Sequence, residues 1–275
     1  MTTDHADASG GGQHSIKPQN PLLFVDERQK AILDEIRRDG RVWVTALAER
    51  FAVVGETIRR DLAELERRGA IRRVHGGAIA VEKILVEPPI QARAGLMTAE
   101  KERIAAAAVT ELPAYGSIFI EAGSTPSYLA NALPPDRPLT IATNAGYIAN
   151  ALAAHENFTV LSVGGRVRPR SLACVDDWTL DTLSRLHVDV AFLGTNGISV
   201  ASGLTTPDLA EAAVKRAMLT IAARTILLAD HSKVGIVALT RYGELNQLDL
   251  LITDTGLPIE EQRELEDAGL SVIRA

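Results

Sequence analysis

The sequence predicts an α/β protein in two unequal parts: three short helices with a hairpin near the N-terminus, then a larger, doubly wound sheet. Two patterns predict this. From residue 98 onward, β-like apolar runs alternate with helical ones, as in a largely parallel sheet covered by helices. Before them, residues 56–69 read Glu-Thr-Ile-Arg-Arg-Asp-Leu-Ala-Glu-Leu-Glu-Arg-Arg-Gly, with Ile58, Leu62 and Leu65 at helical spacing. The opposite face of that helix carries Glu56, Arg59, Arg60, Ala63 and Arg67. Gly69 follows as a C-terminal cap, with Arg67 and Arg68 in the last turn, where cations suit the helix dipole.

The elements around this helix follow in order. Asp26 is expected to cap a helix running to Arg38, whose buried side is Ala31, Ile32, Leu33 and Ile36, and which Asp39-Gly40 stops. Val42, Trp43 and Val44 form a short apolar run. Thr45 then caps a brief helix through Phe51, and a tight turn over 52–55 enters the arginine-bearing helix. Residues 70–80 read as two short strands around a turn at His75, Gly76 and Gly77. Three helices and a hairpin make a winged helix-turn-helix, in which the third helix enters the major groove and the hairpin lies near the backbone.

Charge agrees with that division. The chain carries −6 overall, but residues 26–77 hold 12 basic and 10 acidic residues, leaving 17 against 25 elsewhere from totals of 29 and 35. A mildly basic small part joined to an acidic larger one is expected where only the first meets phosphate. With 46% hydrophobic and 23% charged residues, the composition is that of a globular domain, not a disordered or fibrous chain. The single cysteine, Cys174, excludes an internal disulfide and a zinc–cysteine cluster, and fits a reducing cytoplasm. No metal or cofactor is expected. Residues 1–20, rich in Gly, Ser, Asp and His, read as a disordered tail without a signal sequence, and no apolar run is long enough to span a bilayer.

Residues 81–97, with Pro88 and Pro89, read as a linker, and 98–275 as the second domain. Thr98–Leu112 is an alanine-rich helix. Strands are expected at 117–121, 139–142, 158–163, 188–193, 225–229, 248–252 and 270–273. Helices are expected at 126–133, 145–154, 172–186, 208–223 and 258–268. Ligands of such folds sit outside the carboxyl ends of the strands. There the sequence places Glu121-Ala-Gly-Ser-Thr125, Thr143-Asn144, Gly164-Gly165 and Gly194-Thr-Asn-Gly197. Small and hydroxyl residues at helix N-termini offer backbone N–H groups to an anion such as phosphate. A single loop of this kind is most simply an ordinary strand-to-helix turn, but four on one rim favour a phosphorylated ligand. Neither P-loop nor Rossmann glycine spacing is present, which argues against a nucleotide. Glu211 and Lys215, one helical turn apart, are most simply an ion pair. Asp230 and Lys233 close the following strand and can together grip a hydroxyl and a phosphate.

Residues 28–80 resemble the N-terminal domain of the DeoR family of bacterial transcriptional regulators. The carrying stretches are Arg28-Gln-Lys-Ala-Ile-Leu33, Leu47-Ala-Glu-Arg-Phe51, Thr57-Ile-Arg-Arg-Asp-Leu62 and Arg73-Val-His-Gly-Gly-Ala78. The family usually has a small residue, most often Ser, where Val54 stands. Ser there caps the helix and Val cannot, so either Val54 or Gly55 becomes the cap. The candidate DNA-facing set is Thr45, Glu56, Thr57, Arg59, Arg60, Arg67, Arg72, Arg73 and His75. Arg59 and Arg60 reach phosphates or guanine edges, Thr57 a phosphate or thymine methyl, and Arg72, Arg73 and His75 the backbone or minor groove. Asp61 is expected to pair with a nearby arginine rather than touch DNA.

The second half resembles the DeoR-type sensor domain through the four rim loops and three further segments. These are Gly203-Leu-Thr-Thr206, Glu211-Ala-Ala-Val-Lys-Arg216 and Leu228-Ala-Asp-His-Ser-Lys233. Family members commonly have Ser where His231 stands. The resemblance implies a fold shared with ribose-5-phosphate isomerases and an effector that is a phosphorylated sugar or sugar-like metabolite. The candidate effector set is Arg93, Lys101, Gly123, Ser124, Thr125, Thr143, Asn144, Gly164, Gly165, Gly194, Thr195, Asn196, Glu211, Lys215, Asp230 and Lys233.

The leading functional reading is a non-enzymatic cytoplasmic bacterial repressor that leaves a double-stranded DNA operator when a sugar phosphate binds. Paired half-sites demand a homodimer or homotetramer. The alternative is a sugar-phosphate isomerase fused to a DNA-binding domain, with Glu121 or Asp230 as its base. Constitutive DNA binding without a ligand is a third.

Overall fold

The computed structural model describes residues 25–68, 70–74, 76–80 and 87–275. The expected tail over 1–20, the Gly69 cap, His75 and residues 81–86 of the linker lie outside the described residues, as does the side chain of Asp26; its backbone is already inside the first helix, which includes Val25, so Asp26 does not stand at the expected cap position.

The N-terminal unit is built from α1 (Val25–Asp39), β1 (Arg41–Trp43), α2 (Val44–Arg50), α3 (Gly55–Arg67), β2 (Ile71–Val74) and β3 (Gly77–Ala80). Its core is Ile32 and Ile36 from α1, Val42 and Val44, Leu47 from α2, Ile58, Leu62 and Leu65 from α3, and Ile71 and Ala78 from the hairpin. Each large apolar side chain so buried contributes roughly 1.5–3 kcal/mol, which compensates for the polar outer faces. The hairpin gains β1 as a third antiparallel strand, in the order β1-β3-β2. Gly77 is required where they meet, because a Cβ there would lie 1.9 Å from the Val42 carbonyl oxygen. Asp61, on the buried side of α3, accepts from Arg28 Nε at 2.5 Å and from Gln29 Nε2 at 3.2 Å, so α1 and α3 are joined by a buried polar contact as well as by packing.

Both helix starts lack a side-chain cap. Thr45 does not cap α2, as the sequence led us to expect: Trp43 holds the N-cap position and Val44 begins the helix. The β1 edge extends to Val44, whose N–H donates to the Gly76 carbonyl at 2.8 Å, so the chain turns into the helix earlier. At α3 the N-cap is Val54, extended at φ −71°, ψ 148° and 70% exposed, whose carbonyl accepts from Thr57 N at 2.9 Å but whose side chain offers no acceptor to the first-turn N–H groups. Gly55 is the first helical residue. Val54→Ser should therefore stabilise the N-terminal unit by about 0.5–2 kcal/mol. Urea melts of the full-length variant, followed through the DNA-binding unit, check this, and an unchanged midpoint would refute it.

The larger part begins with α4 (Ile90–Ala94) and α5 (Thr98–Thr110). Its centre is a seven-stranded parallel sheet in the order β15-β14-β12-β9-β4-β5-β6. The strands are β4 (Gly116–Ile120), β5 (Leu139–Thr143), β6 (Phe158–Ser162), β9 (Val188–Leu193), β12 (Ala222–Leu228), β14 (Leu250–Thr253) and β15 (Val272–Arg274). Near-continuous apolar strands such as 188–193 and 225–228 are buried on both faces by α6 (Ser124–Ala132), α7 (Gly146–Leu152), α8 (Asp177–Leu183), α9 (Leu209–Met218) and α10 (Ile259–Asp267). The chain runs outward from β4 through β5 to β6, returns to β9 on the other side of β4, and runs outward again. The switch point of the sheet therefore lies between β4 and β9.

Two expected helices are shorter, and two small sheets were not anticipated. Residues 172–176 do not open a helix: β8 (Cys174–Val175) pairs with β7 (Arg166–Val167) in a hairpin, and α8 starts only at Asp177. The helix expected to reach 223 stops at Met218, because Ala222 already pairs with Val188 in the main sheet. A three-stranded antiparallel sheet of β10 (Gly197–Ser199), β11 (Gly203–Thr206) and β13 (Thr240–Gly243) follows the fourth rim loop. Its short strands lack a clear alternation, so periodicity could not reveal them. Among the described residues, no helix is long and apolar enough to cross a membrane, and no cluster of His, Cys, Asp and Glu is arranged to hold a metal ion.

Candidate DNA-binding helix and ligand cleft

The outer face of α3 is open. Arg60 is 82% and Arg59 58% exposed, and both lie beside Glu56, at 3.7 Å and 3.4 Å. Exposed pairs of this kind hold side chains only weakly, so these arginines are available to a partner. Arg67 is more engaged: it forms two hydrogen bonds with Glu64, which Arg68 also contacts, and these partners draw the Glu64 carboxyl down to about 2. Thr45 and Glu56 are exposed and Thr57 is half-buried. On the wing, Arg72 and Arg73 are exposed, and the backbone N–H of Arg73 is held by Glu66 at 2.8 Å.

In the α/β part, only some of the expected rim residues meet. Gly123, Ser124 and Thr125 at the start of α6 and Gly194, Thr195 and Asn196 after β9 line one polar cleft, because β4 and β9 are neighbours at the switch point. Arg93, Glu211, Lys215 and Lys233 complete its wall. At its base, Glu121 and Lys215 form a fully buried ion pair, Oε1 to Nζ at 2.5 Å. The other Glu121 oxygen accepts from Gly194 N at 2.8 Å, and Lys215 also donates to the Gly194 carbonyl at 2.9 Å. Burial opposes the ammonium of Lys215, but Glu121, with Tyr242 and Glu211, holds it protonated above the usual lysine range. The Glu211–Lys215 pair expected within one helix is thus replaced by two longer-range pairings. Glu211 instead takes Arg168 at 3.3 Å and the Thr206 hydroxyl at 3.2 Å.

Other candidates support the cleft from behind. Asn144 is buried; its Oδ1 accepts from Ala122 N at 2.8 Å and its Nδ2 donates to the Cys174 carbonyl at 3.2 Å, which fixes the first rim loop. Thr143, also buried, accepts from Ala145 N. Gly164 and Gly165 pack on α8: Gly164 O accepts from Thr179 Oγ1, and at φ +146° Gly165 leaves no room for a Cβ, which would lie 2.0 Å from that hydroxyl. Lys101 is buried and donates to the carbonyls of Arg93 and Leu96, tying α5 to α4. Burial pushes its ammonium down to about 8, against the pull of Asp230. Asp230 caps the short turn His231–Lys233 through the Ser232 N–H and hydroxyl, leaving Lys233 as that turn's contribution to the cleft wall.

Residues missed by sequence reasoning are Glu87 of the linker and Arg168 of the β7–β8 hairpin. Glu87 lines the cleft with a 4% exposed side chain, and Arg168 joins it to Glu211 and Asp208. Neither stands in a motif or at a helical spacing that would single it out.

A second cavity, of about 130 Å³, adjoins the cleft and shares Glu87, Arg93, Asn196 and Lys233 with it. Asp39, Gly40 and Ile79 of the N-terminal unit form its other wall. Nearby, the two parts touch through Arg41, whose Nη2 lies 3.1 Å from Glu261 Oε1 and whose guanidinium stacks on Trp43 at 3.5 Å. Burial lowers Arg41 to about 10 and raises Glu261 to about 7. Trp43 in turn lies 6.4 Å from the His231 ring. Burial disfavours the imidazolium of His231, but Asp254, 2.7 Å from Nδ1, holds it above the usual histidine range. The residue at the family's common Ser position thus takes part in the junction between the two parts.

An exposed arginine face on α3, and a charged cleft whose neighbouring cavity reaches the same unit, fit a ligand-responsive DNA-binding regulator. Residues 28–84 match the DeoR-like helix-turn-helix domain and residues 97–255 the DeoR C terminal sensor domain, and the chain belongs to the DeoR family of transcriptional regulators. It is 35% identical over 241 residues to the glycerol-3-phosphate regulon repressor of Escherichia coli (strain K12), covering 88% of this chain and 95% of that protein. It is 37% identical over 252 residues to the HTH-type transcriptional regulator GlpR of Haloferax volcanii, covering 91% and 98%. Among solved structures, ribose 5 phosphate isomerase A from Neisseria gonorrhoeae is similar at a TM-score of 0.37 and 16% identity, over 50% of this chain and 53% of that one.

Proposed function

We propose that this regulator is a repressor of genes for the use of a phosphorylated sugar or sugar alcohol, and that the phosphorylated metabolite releases it from its operator. The observation that carries this reading is the cleft at the β4–β9 switch point, where Ser124, Thr125, Arg93 and Lys233 meet. Hydroxyls and N–H groups at the start of α6, with two cations opposite, suit a phosphate. A relative whose name gives a glycerol-3-phosphate regulon as its target supports the same ligand class. The reading is non-catalytic: both oxygens of Glu121 are engaged, by Lys215 and by Gly194 N, so it is not presented as a base to a substrate carbon. Recognition of paired half-sites calls for a homodimer or homotetramer.

Lys233 faces both the cleft and the cavity beside the DNA-binding unit. Lys233→Ala should weaken effector binding about tenfold by removing a charge-assisted contact, while leaving the DNA-facing helix intact. The test uses DNA selected by the unmodified protein from a random-sequence library, with glycerol 3-phosphate and ribose 5-phosphate as releasing agents. The variant should stay bound at concentrations that release the unmodified protein. Release of both at one concentration removes Lys233 from the site, and failure of either compound to release the unmodified protein counts against the ligand class.

A further inference from the structure

We propose that the carboxylate of Glu87 is a built-in stand-in for the effector's anionic group, seated between Arg93 and Arg168 until the effector displaces it. This rests on the reading of the cleft as a phosphate site and adds how occupancy is conveyed to the DNA-binding unit. Glu87 Oε1 lies 3.0 Å from Arg93 Nη2 and 3.3 Å from Asn196 Nδ2, and Oε2 lies 2.5 Å from Arg168 Nη1. A carboxylate between two guanidiniums occupies the position that a phosphoryl or carboxyl group of a ligand would take.

Three features make this seat exchangeable. Arg168 keeps partners without Glu87, since Asp208 lies 3.0 Å and Glu211 3.3 Å away. Arg93 is poorly satisfied with it: Nε and Nη2 are buried and have no hydrogen-bond acceptor, although Nη2 is close to the carboxylate. A tetrahedral dianion offers more acceptor oxygens and more charge than one carboxylate, and can use these donors. The entrant need not cross the protein, because the adjoining cavity shares Glu87, Arg93, Asn196 and Lys233 with the cleft.

The position of Glu87 in the chain gives the exchange its consequence. It follows the last wing residue, Ala80, by seven positions and precedes α4 by three, and α4 is itself tied to the β7–β8 hairpin of the α/β part through Ile90 N to the Arg170 carbonyl at 2.8 Å. While Glu87 is seated, the connection from the wing is anchored in the cleft. An anion in the seat releases that anchor, so the effector prefers the state in which the wing is less constrained. The affinity seen in the intact protein is the seat's own affinity reduced by the fraction of molecules in which Glu87 is out.

Isothermal titration of the full-length protein with inorganic phosphate, at ionic strength held constant with chloride, tests this. Glu87→Gln removes the competing charge while keeping size and should bind phosphate about tenfold more tightly than the unmodified protein. Adding Arg93→Gln should abolish that gain, and circular dichroism melts report whether each variant is folded. Equal phosphate affinity with and without Glu87→Gln overturns the competition, while a loss in Lys233→Ala in the same series would leave the cleft reading standing. A gain that survives Arg93→Gln overturns the assignment of the seat. No phosphate binding to any folded variant overturns both readings.

Discussion

Lys215→Met is expected to destabilise the α/β part by about 3–5 kcal/mol, the usual consequence of leaving a buried charge without its partner. Glu121 is 3% exposed and has Lys215 at 2.5 Å as its counter-charge. Without that ammonium only the Gly194 N–H is left to oppose burial, which already pushes its carboxyl upward. The loss should depend on pH in a defined direction. A carboxyl raised above its unfolded value supports the fold below that value and loses this contribution as pH rises toward the folded value. The deficit should therefore grow between about pH 5 and about pH 8. Urea melts at the two pH values measure it. Glu121→Gln combined with Lys215→Met should recover most of the stability and flatten the pH dependence, and a deficit equal at both pH values would show that the pair is not what is lost.

Arg60→Ala should weaken operator binding by about 1–3 kcal/mol, and relax sequence preference if its contact is to a base. The stripe of Ile58, Leu62 and Leu65 is wholly buried, which leaves Arg60 outward at 82% exposure with Glu56 as a loose partner. Because it touches nothing in the core, the variant should melt with the unmodified protein and bind phosphate normally. Gel-shift titrations on the selected DNA, with salt varied, separate the possibilities. A phosphate contact reduces the salt slope by roughly one, a base contact changes which sequences bind, and unchanged affinity removes Arg60 from the interface.

The two halves differ in how much of their function the sequence made legible. In the N-terminal unit, one amphipathic period identified the buried stripe of α3 and the open arginine face, while the burial of Asp61 against Arg28 and Gln29 of α1 emerged only in the fold. The hairpin followed from its glycines and short apolar runs. What failed there was the cap of α2, because strand pairing at Val44 overrode the preference of Thr45. In the α/β part, the parallel strands were visible as apolar runs, but β7, β8, β10, β11 and β13 were too short to show a period.

By itself, the sequence determined the main-sheet strands, most of the helices and the faces that the helices bury, since these follow from periodicity and local turn chemistry. Which rim residues meet was decided by the tertiary structure. Strand order set the loops after β4 and β9 side by side, left Asn144 and Gly165 as supports, and turned Lys215 from a helical neighbour of Glu211 into the partner of Glu121, 94 positions away. Glu87 and Arg168, 81 positions apart and without a motif between them, became one site only because the linker and a small hairpin fold onto the same cleft. Such pairings depend on where the chain returns to in space. Local propensity does not encode that return, because the energy that selects it comes from burying distant segments together.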